Sequence, residues 1–413
     1  MDDQPVGRRV AYWRTRRKMS QQVFADRLGK SKSWVDKVER GVRRLDRFST
    51  IAEIAEVLQI DVAALIGRDP VRRPESVNCI DQGEVAAIRA ALERYDRITA
   101  FHVTVSAAPP ITDLRKSVDH AWMTFQRSRY GVLARSLPHL LRNAQAADAA
   151  WADAASPLDA RRDAAYLLAE VYQIASSTLR KLGEHDLAWL AADRATTVCQ
   201  RAGDELLSAL ATARVASALA ALGRIRPALE ITVNIANQIA PRDGVDATPQ
   251  RLSVYGVLLL QGAMAAARLG DSATVRDLLA AADEAAKQIG GDENYYWTSF
   301  GPTNVAFHRV AAEVALGDGA RALQANDDID PFGFAAMLPE RRASHLIDLA
   351  RAHAQVGDLP RAGELLVEAD RLAPSEVRCR PVAHELASEL LRRTRGASAP
   401  AVLDLVDQLG LAG

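Results

Sequence analysis

The sequence is poor in the residues that most often carry chemistry. It holds three cysteines in 413 residues, Cys79, Cys199 and Cys379, far apart and odd in number. Neither a disulfide framework nor metal-ligand spacing follows from them, and a reducing cytoplasm is the expected setting. Aromatic residues make up 5% of the chain, and no charge of one sign is in excess, since 52 Lys and Arg balance 52 Asp and Glu. Long apolar runs are missing too. The most apolar stretch, VYGVLLLQGAMAAARLG (254–270), is interrupted by Gln261 and Arg268 and is too short and polar to span a bilayer. The N-terminus is charged and has no apolar segment of the signal-peptide kind. A soluble, cytoplasmic chain with no membrane partner is expected. There is no phosphate-binding glycine loop, the eight histidines are scattered, and the His-Glu-Leu at His384 lacks a second histidine four residues on, so it is not a zinc-peptidase motif. The expectation is no enzyme, no metal and no cofactor.

What is present is uneven. Residues 1–68 carry 15 Lys and Arg against 9 Asp and Glu, a net of +6, which leaves 37 against 43 in the remainder. A small basic head on an acidic body suits a polyanion-binding module joined to something else. Beyond Asp81 the text is dominated by Ala, Leu and Arg at helical spacing, and clusters of β-branched residues are few, so the chain is read as all-α. Proline-bearing breaks fall at RDPVRRPES (68–76), SAAPPITD (106–113), ASPLD (155–159), APRDGVDATPQ (240–250) and DIDPFG (328–333). The first has the composition of a domain linker.

Short glycine turns recur at Gly183, Gly223, Gly270, Gly317 and Gly357, separated by 40, 47, 47 and 40 residues. Each lies between two helical runs and is placed to end the first. The clearest unit is ASHLIDLARAHAQVGDLPRAGELLVEADRLAP. Its Leu346, Leu349, Ala350, Gly357, Ala362, Leu366, Ala369 and Pro374 fall at the large, small and turn positions of the tetratricopeptide (TPR) repeat, which it resembles. His353 stands where that family usually has an aromatic. The Gly317 unit fits worst, with Arg309 and Val310 where a large and a small residue are expected. The resemblance runs from about Ala164 to Pro374 and implies a right-handed TPR-type α-solenoid over 112–413. Stacked pairs bury one continuous core and leave a curved inner surface.

The head reads as a set of short helices. VGRRVAYWRTRRKM turns Val6, Val10 and Trp13 inward and Arg9, Arg16 and Arg17 outward. Ser20 can cap QQVFADRL, Gly29 turns the chain, Ser31 can cap KSWVDKVER and Gly41 ends it. Phe24, Ala25, Leu28, Val35 and Val38 point inward, whereas Lys32, Ser33, Asp36 and Lys37 stay outside. FSTIAEIAEVLQI and DVAALIG supply two more helices. Through Ser20-Gln21, Ala25, Leu28-Gly29, Ser31, Val35, Val38-Glu39 and Gly41, residues 6–67 resemble the lambda-repressor-like helix-turn-helix domain of the Cro and xenobiotic-response-element type. The resemblance implies a five-helix domain whose second motif helix lies in the major groove of double-stranded DNA. It makes Lys32, Ser33 and Lys37 the base readers and sets Gln21, Trp34, Arg40 and Arg43 near phosphates. Packing against the first helix is the other reading of Trp34, and a solvated cationic face the other reading of the lysines. Glu39 is expected to pair with a nearby arginine.

In the TPR family four positions of each first helix line the inner face. The resemblance sets Glu170, Gln173, Ser177 and Arg180 there, then Leu210, Ala213 and Ser217, then Val257, Leu260 and Met264. Asn304 and Phe307 follow, and last Ser344, Ile347 and Arg351. The candidate ligand-binding residues among them are Gln173, Arg180, Met264, Asn304, Phe307 and Arg351. With polar ends and an apolar middle, this face suits an extended peptide or an amphipathic small molecule better than a charged one. In ENYYWTSFGPTNVAFHR, Asn304 can either clamp a peptide backbone or cap a helix, and Tyr295, Tyr296, Trp297 and Phe300 can be ligand contacts or core. The domain expectation is a DNA-binding head at 1–68, a linker with a connecting helix at 69–111, and the solenoid at 112–413. The functional expectation is a nucleoid-associated transcriptional regulator. It would be a homodimer on an inverted-repeat operator, responding to a peptide or small-molecule effector. The alternative is a TPR adaptor that docks a protein and uses the head as a DNA tether.

Overall fold

The computed structural model describes residues 6–16, 19–42, 48–58, 82–93, 108–153, 155–242, 246–394 and 400–411. The chain divides into two compact units, 1–76 and 77–413. Among the described residues every regular element is a helix, with one isolated bridge between Glu293 and Phe300.

In the first unit the described helices are α1 (Val6–Arg16), α2 (Gln21–Arg27), α3 (Lys32–Glu39) and α4 (Phe48–Leu58). The stretch DVAALIG, expected to form a fifth, lies outside the described residues, as do Arg17 and Arg43. The hydroxyl of Ser20 accepts from the Val23 amide at 3.2 Å, and that of Ser31 from the Trp34 amide at 3.1 Å. Both expected caps therefore satisfy amides that a helix start leaves orphaned. Gly29 turns between α2 and α3 with φ +62°, where a side chain would be strained. Val10, Phe24, Ala25, Val35, Ile54, Ala55 and Leu58 form the core, with Val6, Trp13, Leu28 and Trp34 packed at its edge. Gly7 lets α1 lie against α3, since a Cβ there would come within 1.9 Å of the Val38 carbonyl oxygen. Arg9, expected outside, is half-buried.

A polar knot locks the three motif helices. The Arg14 guanidinium donates to both Glu39 oxygens, at 2.5 and 3.1 Å, and to the Met19 carbonyl at 2.6 Å. The Gln21 amide donates to Glu39 at 2.8 Å. Glu39 is thus the structural partner of an arginine, as expected from the sequence.

The second unit begins with α5 (Gln82–Leu92), α6 (Ile111–Gln126) and α7 (Tyr130–Ala150). Helix pairs follow: α8 (Leu158–Lys181) with α9 (His185–Ala202), α10 (Glu205–Ala221) with α11 (Ile225–Ile239), and α12 (Pro249–Arg268) with α13 (Ser272–Ile289). Next come α14 (Pro302–Leu316) with the short α15 (Gly319–Asp327), α16 (Pro331–Ala336), and α17 (Pro339–Gln355) with α18 (Leu359–Leu372). The helices α19 (Pro374–Arg378), α20 (Pro381–Thr394) and α21 (Pro400–Gln408) close the chain. The five recurrent glycines all end the first helix of a pair with φ between +76° and +88°, the left-handed stop that glycine makes cheaply. Rows of alanines, among them Ala165, Ala169, Ala188, Ala195, Ala211 and Ala218, are fully buried between pairs. They let the helices approach closely and are filled in by leucines. The helix in the expected linker segment, α5, belongs to this core, through Ile88, Ala91 and Leu92 against α7.

Two long-range features bind the stack across its interior. One is a strap over 290–301. Its Phe300 ring enters a notch at Gly256, where a Cβ would meet the ring at 1.9 Å. Tyr296, Trp297 and Ser299 have φ of 50°, 60° and 49°, which costs about 1–3 kcal/mol per residue. Burying Phe300 returns about 1.5–3 kcal/mol. A stack of Trp297 on Trp122, with centroids 6.1 Å apart, and the Tyr296 hydroxyl donating to Asp204 at 2.9 Å also hold the strap in place. The other feature is a buried charge cluster. Lys181 reaches Glu340 at 2.5 Å and Glu376 at 2.9 Å. Arg380 pairs with Glu376 at 2.6 Å, and the Tyr130 hydroxyl donates to the same carboxylate. Burial pushes the Glu340 carboxyl up, but Arg341 and Lys181 outweigh it and hold the group well below the usual range.

Replacing Glu39 with Ala should lower the stability of the head by about 3 kcal/mol, because a mostly buried arginine loses its partner. Thermal melts of the full chain followed by hydrogen exchange in α1–α3 read this, and an unchanged exchange rate there would contradict the role given to Glu39. Lys181→Met should cost the second unit about 3–5 kcal/mol by leaving two carboxylates buried without their shared cation. Because the Glu340 carboxyl sits below its unfolded value, its contribution is present above about pH 4.3 and is lost as pH falls further. Wild type should therefore lose stability on acidification below that point more steeply than Lys181→Met. Parallel slopes in calorimetry at pH 3–6 would count against the cluster.

Candidate functional site

The head offers one outward face. Lys32, Ser33 and Lys37 are exposed along α3, and Lys30 in the turn before it is exposed beside them. Lys30 was not among the expected contacts, because it lies outside any helical period. Arg40 is exposed and pairs with Asp36 one turn earlier. Gln21 is half-buried and committed to Glu39 through one amide proton, which leaves its second for another acceptor. Trp34 is half-buried against the core, the arrangement that the packing reading of this residue expected. Arg43 lies outside the described residues. An exposed cationic face at the start of a capped helix is chemically suited to phosphates and base edges.

The second unit contains a cavity of about 270 Å³ between α6, α8, α10, α11, α12, α14, α17 and the strap. Of the six candidate ligand residues, Arg180 and Met264 line it, and Gln173, Asn304, Phe307 and Arg351 do not. Gln173 is buried and donates to the Leu207 carbonyl at 3.4 Å, tying α8 to α10. Asn304 is fully buried and donates to the Ser299 carbonyl at 2.7 Å, and its side-chain oxygen has no partner. It is not the cap of α14, a place held by Gly301. Phe307 stacks on His345 with centroids 4.2 Å apart, and Arg351 pairs with Asp348 at 3.3 Å.

The inner face keeps the expected residues at its outer positions, with Ser177, Arg180, Leu210, Ser217, Val257 and Met264 lining the cavity, and departs from expectation by one residue at the middle position of α10 and of α12. Leu210, Arg214 and Ser217 face the cavity from α10, and Val257, Gln261 and Met264 from α12. Ala213 and Leu260 turn into the core instead. Spacings of four and then three keep side chains on one face of a helix as well as three and then four, and core packing selects between them. The offset changes the chemistry. In place of an apolar middle, the walls carry Arg180, Lys181, Arg214, Arg268 and Arg341 against one carboxylate, Glu340. Burial first, then Arg180 and Arg341, pulls the Arg214 guanidinium down to about 10. Burial and the adjacent Arg341 also pull His308, on the same wall, down to about 4, so it is neutral near pH 7.

The aromatic segment divides between the two roles open to it. Phe300 is core, whereas Trp297 presents its ring to the cavity beside Trp122 and Phe125. The indole N–H of Trp297 donates to Glu170 at 3.2 Å. Burial, followed by Asp119, raises that carboxyl to about 7. Sequence reasoning missed Trp122, Arg214, Lys181, Glu340 and Arg341 as cavity residues. They come from helices up to about 220 residues apart, and no local pattern joins them. Among the described residues no group of His, Cys, Asp and Glu is placed to hold a metal ion, and no helix is long and apolar enough to cross a membrane.

Residues 5–65 match the family model of the helix-turn-helix domain. No curated protein matches the chain. Among solved structures, similarity extends to Bacillus thuringiensis PlcR, in a crystal structure in complex with the peptide PapR7 and DNA. That likeness has 12% identity and a TM-score of 0.35, over 86% of this chain and 98% of that one. The N-terminal unit thus carries a helix-turn-helix domain, the DNA-binding fold that its capped α2–turn–α3 expresses.

Proposed function

We propose that the protein is a sequence-specific DNA-binding transcriptional regulator whose second unit takes a peptide or small-molecule effector and carries a homodimer contact. The observation that carries the reading is the helix-turn-helix match over residues 5–65 with an exposed, cationic α3. In this reading Lys32, Ser33 and Lys37 contact base edges. Lysine donates to guanine O6 and N7, and a serine hydroxyl can either donate or accept. Gln21, through its free amide proton, Arg40 and Arg43 contact phosphates, and Trp34 holds α3 at the right height by packing on the head's core. Residues 1–68 form the DNA-binding part. The remainder binds the effector, and the inner cavity supports that role.

One recognition helix covers too few base pairs for useful affinity, so two-fold pairing on an inverted repeat follows, with half-sites about 10 base pairs apart or a multiple of that. Footprinting on genomic fragments selected by the full chain tests this arrangement, and protection of a single half-site or of a direct repeat would contradict it.

Lys32→Ala and Lys37→Ala should each relax sequence preference, by about 1–3 kcal/mol at one base pair, while binding to non-specific DNA changes little. Arg43→Ala should weaken all sequences alike and lower the slope of log K against log salt by about one. Titrations of selected and scrambled duplexes at several salt concentrations separate the two behaviours. The same loss for all three variants on all duplexes would remove the base-reading role.

A further inference from the structure

The charge on the cavity wall is not balanced from within the protein. Lys181 is committed to Glu340 and Glu376, and Arg341 reaches Glu340 at 3.4 Å and the Thr298 carbonyl at 3.4 Å. Arg268 donates to the Ala220 carbonyl at 2.9 Å. Arg180 and Arg214 are different. Among the described residues neither forms an ion pair or a hydrogen bond, although the more distant Glu340 charge favours both, and the Nε of Arg214 is buried with no partner. The Arg214 guanidinium lies over the Trp122 ring, 5.8 Å from its centroid, and Trp122 in turn stacks on Trp297. Burial first, and then a neighbouring guanidinium, disfavours the charge on each: Arg380 acts on Arg180, and Arg180 and Arg341 act on Arg214. Both side chains are half-buried at the cavity, and a cation partly withdrawn from water without a partner is costly, two in one cavity more so. Such an arrangement persists in proteins when something else supplies the counter-charge.

We propose that the cavity binds a carboxylate carried on a compact apolar or aromatic body, with Arg180 and Arg214 holding the carboxylate and Trp122, Phe125 and Trp297 holding the body. This rests on the effector-binding reading of the second unit and names its ligand chemistry. A planar guanidinium fork matches a carboxylate with two parallel hydrogen bonds, and charge-assisted bonds of this kind are about twice as strong as neutral ones. The apolar side of the cavity is supplied by Leu210, Val257 and Met264. A volume of 270 Å³ is far more than the ~10–15 Å³ a single water needs. That is room for a small arylalkanoic acid or for the last residue of a peptide with its free C-terminus, but not for a folded partner. The carboxylate is common to both sources.

Full-length protein is titrated with 3-phenylpropionate and, separately, with 3-phenylpropanamide, which has the same shape without the charge. A second pair, the peptide Ala-Ala-Ala-Phe with a free or an amidated C-terminus, distinguishes the sources. Binding is read by calorimetry and by the ligand-dependent rise in Tm. At least one free acid should bind with saturable 1:1 stoichiometry, and at least tenfold more tightly than its amide. Arg180→Gln and Arg214→Gln should each weaken the acid at least tenfold, whereas Arg392→Gln, at an exposed site on α20, should not. In the absence of ligand the Tm of Arg214→Gln should equal or exceed that of wild type, because an unpaired, half-buried charge is removed; a merely structural arginine would lower it. Equal binding of acids and amides, no binding of either acid, or unchanged affinity in both arginine variants would overturn the proposal. Duplex binding by the same ligand-free preparations is measured in parallel. Loss of acid selectivity with DNA binding intact refutes the ligand class alone, and acid selectivity without any DNA binding refutes the regulator reading alone.

Discussion

The second unit depends on a cluster of charges that water does not reach. Lys181 ends α8, Glu340 begins α17, Glu376 lies in α19, and Arg380 and Tyr130 complete the set. Tyr130 and Glu376 are 246 positions apart in the chain. Removing these groups from solvent is expensive, and only mutual pairing returns the cost. Each member is therefore tolerable only with the others in place, so the last helices of the stack must lie against the first. An apolar seam of the same area would stabilise as well but would accept many sliding registers. Opposed charges at 2.5–2.9 Å accept one.

The cavity inherits its form from that constraint. Glu340 and Lys181 belong both to the cluster and to the cavity wall. The strap adds the remaining wall, with Phe300 lodged at Gly256 and Trp297 held in a left-handed conformation by Trp122 and Glu170. Strain there is sustained by packing on both sides, and its effect is to present an indole to the cavity where a relaxed turn would present backbone. The charges left unpaired, Arg180 and Arg214, lie where these elements meet.

The head follows a different logic. Its stability is concentrated in one knot, with Arg14, Gln21 and Glu39 joining α1, α2 and α3 around a small apolar core. Fixing the three helices through groups on their inner sides leaves the outer side of α3 free of structural duties. Lys32, Ser33 and Lys37 can then be chosen for a partner without cost to the fold, which is how a recognition surface remains variable on a constant scaffold.

Much of this was determined by the sequence alone. The all-helical class, the capping serines at Ser20 and Ser31, the left-handed glycines from Gly183 to Gly357 and the outward lysines of α3 depend on neighbours within one or two turns. Local propensity and period specify such features. Tertiary structure decided what faces the cavity. Whether Ala213 or Arg214, and Leu260 or Gln261, turns inward is a rotation of a fraction of a turn, and amphipathic spacing permits either. The choice was made by the burial of Ala213 and Leu260 against neighbouring helices. The same holds for Asn304 and Phe307, drawn into the core by Ser299 and His345, and for the pairing of Lys181 with Glu340 and Glu376. These are contacts between residues brought together only by the stacking of all the pairs, and no short window of the sequence contains both partners.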